Sequence, residues 1–126
     1  MDHALLLHRL QTRFGLGGSV IDWLRSYLSD RNQAVVTAGD KSSPRSLGCG
    51  VPQGLVLGPV LFSCYICPLS DISKKHDLSA HQYADDSEQY TAFHLPDMAS
   101  AVEKTEACVS DIRQWMRNSK LKLIDD

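Results

Sequence analysis

Residues 79–93 read Ser79-Ala80-His81-Gln82-Tyr83-Ala84-Asp85-Asp86-Ser87-Glu88-Gln89-Tyr90-Thr91-Ala92-Phe93. Strand-like residues flank two adjacent carboxylates. The pattern predicts a β-hairpin with strands at 79–84 and 87–93, turning at Asp85-Asp86. Two negative charges held side by side repel each other, and a divalent cation removes the conflict. Hard oxygen ligands of this kind suit Mg²⁺, which takes one or two carboxylates plus substrate phosphates. The simpler reading is a solvated turn, because Asp is common in turns. Taken alone, Tyr83-Ala84-Asp85-Asp86 leaves both readings open.

Upstream, Ser46 to Ser70 carries no charged residue. It is too broken by glycine and proline to supply the roughly 20 consecutive apolar residues of a membrane span, so it reads as buried core. Its first part, Gly50-Val51-Pro52-Gln53-Gly54, is a glycine-rich bend. Glycine lets a backbone approach a ligand closely, and Gln53 can donate and accept hydrogen bonds. A helix-entry loop with no ligand explains the same residues. From Val56 to Ile72 the apolar run predicts one buried helix, with Pro59 tolerated in its first turn.

Further out, Leu6, Leu7, Leu10 and Phe14 give a helix over 3–14, stopped by Gly15, Gly17 and Gly18. Ser19 is the expected N-cap of a second helix with Val20, Ile21, Leu24, Tyr27 and Leu28 on one face. Residues 33–38 predict a strand, 39–44 a turn and 45–49 a returning strand. Pro96 and Asp97 open the longest helix, with a seam of Met98, Val102, Thr105, Val109, Ile112 and Met116, widened by Trp115. Residues 120–124 alternate like a short strand. Helices mixed with antiparallel hairpins make the expected class α+β, and 126 residues suit one domain, 1–126.

Composition excludes disorder and coiled coil: 43% of residues are hydrophobic and 22% charged. Thirteen Lys and Arg against fifteen Asp and Glu leave a net charge of -2, so no overall basic excess advertises a polyanion. No signal peptide is visible at the N-terminus. Cys64 and Cys67 form the one close cysteine pair, inside an apolar run, where free thiols are expected rather than zinc ligands. The expected location is intracellular, nuclear or cytoplasmic, in a reducing compartment. His3, His8, His76, His81 and His94 fall at no metal-ligand spacing, and His81, alternating with Tyr83 on a predicted strand, is expected to be a surface or packing residue.

The glycine-rich bend and the Asp-Asp hairpin, in this order and about thirty residues apart, say more together than either alone. Gly50-Val51-Pro52-Gln53-Gly54 through Leu57-Gly58-Pro59-Val60-Leu61-Phe62 resembles motif B of the reverse transcriptases of non-LTR, LINE-type retrotransposons. Tyr83-Ala84-Asp85-Asp86 (YADD), with Ser87-Glu88-Gln89-Tyr90, resembles their motif C. Asp2-His3-Ala4-Leu5-Leu6 is similar to the tail of motif A, Phe-Asp-x-x-Asp-His in the family. Leu121-Lys122-Leu123-Ile124-Asp125 is similar to the start of motif D. Asp22-Trp23-Leu24-Arg25-Ser26-Tyr27-Leu28 and Arg31 fit the family's linking helix. The resemblance covers nearly the whole chain.

The resemblance implies an RNA-directed DNA polymerase palm fragment, a nucleotidyltransferase whose partners are an RNA template, a DNA primer and dNTPs. Asp85 would ligate catalytic Mg²⁺, with Asp86 as its neighbour in a supporting role. Pro52, Gln53 and Gly54 would lie near the template base and incoming nucleotide, and Tyr83 beside the primer end. Two metals would stabilise the attacking and leaving oxygens of nucleotide addition. Three departures follow. The motif A aspartate would fall before Met1, Leu55 stands where the family has Ser, and Ile124 stands where it has Asn. The chain alone is therefore expected to be inactive. The alternative is a non-catalytic remnant that binds nucleic acid or a protein. An unpaired edge on the 79–93 hairpin would favour self-association, and no membrane partner is expected.

Overall fold

The computed structural model describes residues 1–50 and 56–123. The chain divides into two compact units, Met1–Cys64 and Tyr65–Asp126. Helices and short antiparallel hairpins occur along it, and the class is α+β as expected.

In the first unit, α1 (His3–Phe14) packs on α2 (Gly18–Leu28). The Asp2 carboxylate accepts a hydrogen bond from the Leu5 N–H at 3.0 Å, which satisfies a donor that the helix start leaves open. Gly15 ends α1 with a φ of 67°, a left-handed cap that glycine adopts without steric penalty. Leu6 and Leu10 are the buried residues of α1, and Ile21, Leu24 and Leu28 those of α2. The expected cap at Ser19 is displaced. Gly17 holds the N-cap position without a side-chain bond, and Ser19 lies in the first turn.

An interrupted hairpin replaces the expected strands at 33–38 and 45–49. β1 (Asn32–Gln33) pairs with β4 (Arg45–Ser46), and β2 (Val36–Thr37) pairs with β3 (Asp40–Lys41). Its turn is Ala38-Gly39, with φ of 49° and 94°, as a mirror-image two-residue hairpin turn requires. Every residue of these strands is exposed. No buried face specifies a longer register, so pairing stays short.

The single helix expected over 56–72 is two helices, α3 (Leu57–Ile66) and α4 (Leu69–Lys75). Pro68 separates them, because it lacks an N–H and its ring clashes with the carbonyl four residues earlier. Pro59 is accommodated near the start of α3.

The second unit is organised by α5 (Met98–Asn118), which follows a 3-10 turn at Leu95–Asp97. Leu69, Leu78, Cys108 and Ile112 form its core, with Ile72, Trp115 and Met116 packed against them. The buried stripe of α5 runs Ala101, Thr105, Cys108, Ile112, Trp115, Ser119, in steps of four and three. The expected seam is thus shifted by about one position. Of the expected residues, Thr105 and Ile112 lie on the packed side and Trp115 and Met116 pack against the core, but Met98 and Val102 are about half exposed, at 54% and 47%. Tyr65 is wholly buried, and its hydroxyl donates to the Ser119 carbonyl at 2.5 Å.

No strand forms at 120–123, and Ile124 lies outside the described residues. Lys120 instead takes a φ of 51°. The Lys120 N–H donates to the Arg117 carbonyl and the Leu121 N–H to the Met116 carbonyl. That pair of bonds is the Schellman ending, which turns the chain back beside the last helical turn. No described helix is long and apolar enough to cross a membrane.

Candidate active site

The Asp-Asp hairpin is built from β5 (Ser79–Tyr83) and β6 (Asp86–Tyr90), paired Ser79 to Tyr90 through Tyr83 to Asp86. The turn is Ala84-Asp85, one residue earlier than expected. Asp86 is the first residue of β6, and pairing stops at Tyr90 rather than Phe93. Ala84 has a φ of 53°, a left-handed geometry unusual for a residue with a Cβ. Asp85 therefore sits in the turn itself, while Asp86 belongs to the ladder. Both are exposed.

Because directly paired residues face the same side and alternate along each strand, the hairpin has two distinct faces. The outer face carries Ser79, His81, Tyr83, Asp86, Glu88 and Tyr90, all exposed. His81, Tyr83, Asp86 and Glu88 line a shallow depression of about 300 Å³ on it. Tyr83 is 79% exposed beside Asp86. His81 is at the surface, which decides between the surface and packing roles its sequence context leaves open.

The inner face carries Ala80, Gln82 and Gln89, which are half-buried. Ser73 of α4 donates its hydroxyl hydrogen bond to the Gln89 side-chain oxygen. The Ser73 hydroxyl also lies 3.2 Å from the Leu69 carbonyl. Ser73 is wholly buried. Leu78, immediately before β5, is one of the four core residues. The hairpin is thereby fastened from behind to α4 and the core, leaving its carboxylate tip in solvent. Gln82 Nε2 is buried with no hydrogen-bond partner among the described residues.

The residues resembling the motif A tail are held to the start of the glycine-rich bend. The His3 Nε2–H donates to the Gly50 carbonyl at 2.7 Å. The Gly50 N–H donates to the Met1 carbonyl at 2.7 Å, and Asp2 bridges to Cys49. Sequence reasoning did not foresee this contact, whose partners lie 47 positions apart. Pro52, Gln53 and Gly54 lie outside the described residues, as does Leu55.

Among the described residues, no group of three His, Cys, Asp or Glu side chains is placed to hold a metal ion. Asp85 and Asp86 offer hard oxygen donors on an exposed turn. That fits a cation such as Mg²⁺, which accepts one or two carboxylates and completes its octahedron with water and phosphate.

Two further groups are electrostatically distinctive. Asp111 Oδ2 accepts from Lys75 Nζ and His76 Nε2, each at 2.9 Å. Lys75 first, then His76, holds the Asp111 carboxyl below the ordinary carboxylate range. Burial pushes the Cys108 thiol up, against the opposing effect of its hydrogen bond with Ser73. Cys49, Cys64, Cys67 and Cys108 are all free thiols, Cys64 and Cys67 half-buried.

Comparison with known proteins bears on the same residues. The family model described as reverse transcriptase (RNA-dependent DNA polymerase) matches residues 2–126. The RNA-directed DNA polymerase from mobile element jockey of Drosophila melanogaster is 29% identical over 106 residues, covering 79% of this chain and 11% of the relative. The probable RNA-directed DNA polymerase from transposon BS of the same organism is 48% identical over 46 residues, 36% of this chain and 5% of the relative. The chain thus spans about a tenth or less of the curated relatives it matches. No solved structure matches it.

Proposed function

The chain belongs to the reverse transcriptase (RNA-dependent DNA polymerase) family, and on that footing we propose that it is the palm part of an RNA-directed DNA polymerase of a non-LTR retrotransposon. The observation that carries this reading is the hairpin tip. A two-residue turn, Ala84-Asp85, presents Asp85 and Asp86 together in solvent, with Tyr83 beside Asp86 on one face. Asp85 and Asp86 would hold Mg²⁺, which when bound supplies charge stabilisation for the attacking and leaving oxygens of phosphoryl transfer. Tyr83 offers an exposed aromatic face to the primer end. Gln53 and Gly54, with Pro52, serve the template base and the incoming nucleotide. The substrates are an RNA template, a DNA primer and dNTPs, and four free thiols fit an intracellular location.

Residues 1–126 by themselves do not polymerise in this reading. Two-metal chemistry needs several carboxylates around both ions, and among the described residues no third His, Cys, Asp or Glu side chain joins Asp85 and Asp86 in a metal-holding group. The Asp2 carboxylate is already engaged with the Leu5 N–H. Among the described residues no third strand pairs with the β5–β6 sheet, and such edges favour self-association of the chain.

The test is a Mn²⁺ titration followed by NMR, run alongside primer extension. Line broadening centred on Ala84–Ser87, lost in Asp85→Asn, is the expected result, with no nucleotide incorporated by the chain. Broadening elsewhere that survives Asp85→Asn would overturn the metal assignment. Incorporation abolished by Asp85→Asn would overturn the claim of inactivity. Salt-dependent RNA binding with no Mn²⁺ effect at the tip would favour the non-catalytic remnant.

A further inference from the structure

The two outer edges of the β5–β6 hairpin are chemically unlike. Among the described residues, no backbone group of either strand bonds to backbone outside their own ladder. β5 reads Ser-Ala-His-Gln-Tyr, with no Lys, Pro or carboxylate, and its register with β6 is unbroken by a bulge. It therefore lacks the devices that ordinarily blunt an edge strand. β6 carries Asp86 and Glu88.

The phase of the ladder determines which backbone groups face outward. Tyr83 and Asp86 flank the turn Ala84-Asp85 as a pair, and the first and fourth residues of a tight turn hydrogen-bond. Bonded and non-bonded pairs then alternate along an antiparallel ladder. His81 with Glu88 and Ser79 with Tyr90 are thus bonded pairs as well. The backbone groups of Ala80 and Gln82 are left facing the open side of β5, and those of Ser87 and Gln89 the open side of β6.

A second copy of β5 matches the first. In the antiparallel register that overlaps the whole strand, Ala80 of each copy pairs with Gln82 of the other, outward groups meeting outward groups. His81 meets His81 on the two-fold axis as a non-bonded pair, the kind in which side chains approach most closely. The same operation on β6 pairs Ser87 with Gln89 but sets Glu88 against Glu88 on the axis, and like charges directly opposite are destabilising. Pairing β5 with β6 of the next copy leaves an open edge at each end and does not close. The β5 two-fold closes, and it opposes no carboxylates.

We propose that the chain forms a two-fold symmetric dimer through β5, with His81 on the axis and a continuous antiparallel sheet in the order β6–β5–β5–β6. The dimer rests on the open edge already invoked for self-association, and not on metal at the tip. The Mn²⁺ titration above and the test below can therefore fail separately.

The experiment is sedimentation velocity of the 126-residue chain over a concentration series at neutral pH. A monomer–dimer equilibrium without larger species is expected. His81→Lys places two ammonium groups together on the axis, yet faces Glu88 as an opposite charge within its own hairpin. It should weaken the dimer about tenfold or more with an unchanged circular dichroism spectrum. Glu88→Gln is expected to change the dimer constant less than threefold. His81→Cys, in a Cys49→Ser background that removes the exposed native thiol, supplies a second readout. The Cα atoms of a non-bonded pair lie about 4.5 Å apart, within the span of a disulfide. Oxidised glutathione should therefore join position 81 of one chain to position 81 of the other, as read by peptide mass mapping. A monomer at every concentration would overturn the proposal, as would an undiminished dimer in His81→Lys. Association strengthened by Glu88→Gln would move the interface to β6 and overturn it too. So would growth into species larger than a dimer, or the absence of an 81-to-81 cross-link.

Discussion

The position of the α5 stripe can be decided by two substitutions, Ile112→Ala and Val102→Ala. Ile112 is 7% exposed within the Leu69–Leu78–Cys108 cluster, whereas Val102 is 47% exposed. Ile112→Ala removes three buried carbons. At about 0.8 kcal/mol each this is over 2 kcal/mol of transfer free energy, and the cavity left behind takes the expected loss to about 2–5 kcal/mol. Val102→Ala removes two carbons that already keep half their contact with water, so its expected loss is below about 1 kcal/mol. Urea unfolding followed by Trp115 fluorescence, in a Trp23→Phe background, reads the second unit, because Trp115 packs on the cluster. Midpoints convert to free energies only if the m-values of the variants agree. A loss in Val102→Ala equal to or larger than that in Ile112→Ala would refute the assignment and place Met98, Val102 and Val109 in the core.

Tyr65→Phe keeps the buried ring but leaves the Ser119 carbonyl without that donor, so it should destabilise by about 1–3 kcal/mol. A thermal midpoint unchanged within error would count against the bond. Asp111→Asn should be less stable than the parent at pH 7. The Asp111 carboxyl is held below its unfolded value by Lys75 and His76, so its stabilising effect is complete above about pH 4 and fades as pH falls through the folded value. The gap between the two proteins' melting temperatures should therefore be smaller at pH 3 than at pH 7, and a constant gap would refute the linkage. Tyr83→Ala, at a residue 79% exposed, should leave stability within about 0.5 kcal/mol, so a large drop in melting temperature would show that Tyr83 is structural.

What the sequence makes legible here is what one strong local signal dictates. Leu6, Leu10 and the glycines after Phe14 determine α1 and its end with no help from the rest of the chain. The Asp-Asp hairpin is equally local, and only its turn moves, by one residue. The losses occur where two local readings compete. On α5, two stripes one position apart share Thr105 and Ile112. Periodicity favours the one with more large apolar residues, yet the small Ala101 and Cys108 are what the packed side takes. The 56–72 run hides its break because hydrophobicity is continuous across Cys67-Pro68, and only the backbone chemistry of Pro68 ends α3. The 120–124 alternation is overridden by the Schellman ending at Lys120. Contacts such as Ser73 with Gln89 join uncharged polar residues far apart in sequence, and no period or charge marks them in advance.

That last contact bears directly on how the tip is positioned. A two-stranded hairpin is marginal in water by itself, and a metal-binding turn that frays cannot hold two carboxylates in a fixed relation. Here Leu78 enters the core immediately before β5, and the Ser73 hydroxyl grips Gln89 of β6 from α4. One strand is anchored by apolar burial and the other by a half-buried polar contact, so rotating either about its axis would expose a leucine or break that bond. The outer face is then free to carry Tyr83 and Asp86 in solvent without contributing to its own support. Side chains at the tip can be replaced at little loss of stability, whereas Ser73 and Leu78, which touch no substrate in this reading, govern where Asp85 stands. Damage to the site is thus expected from two directions with different signatures: removal of charge at the tip with an unchanged melt, and loosening behind it with a lowered one.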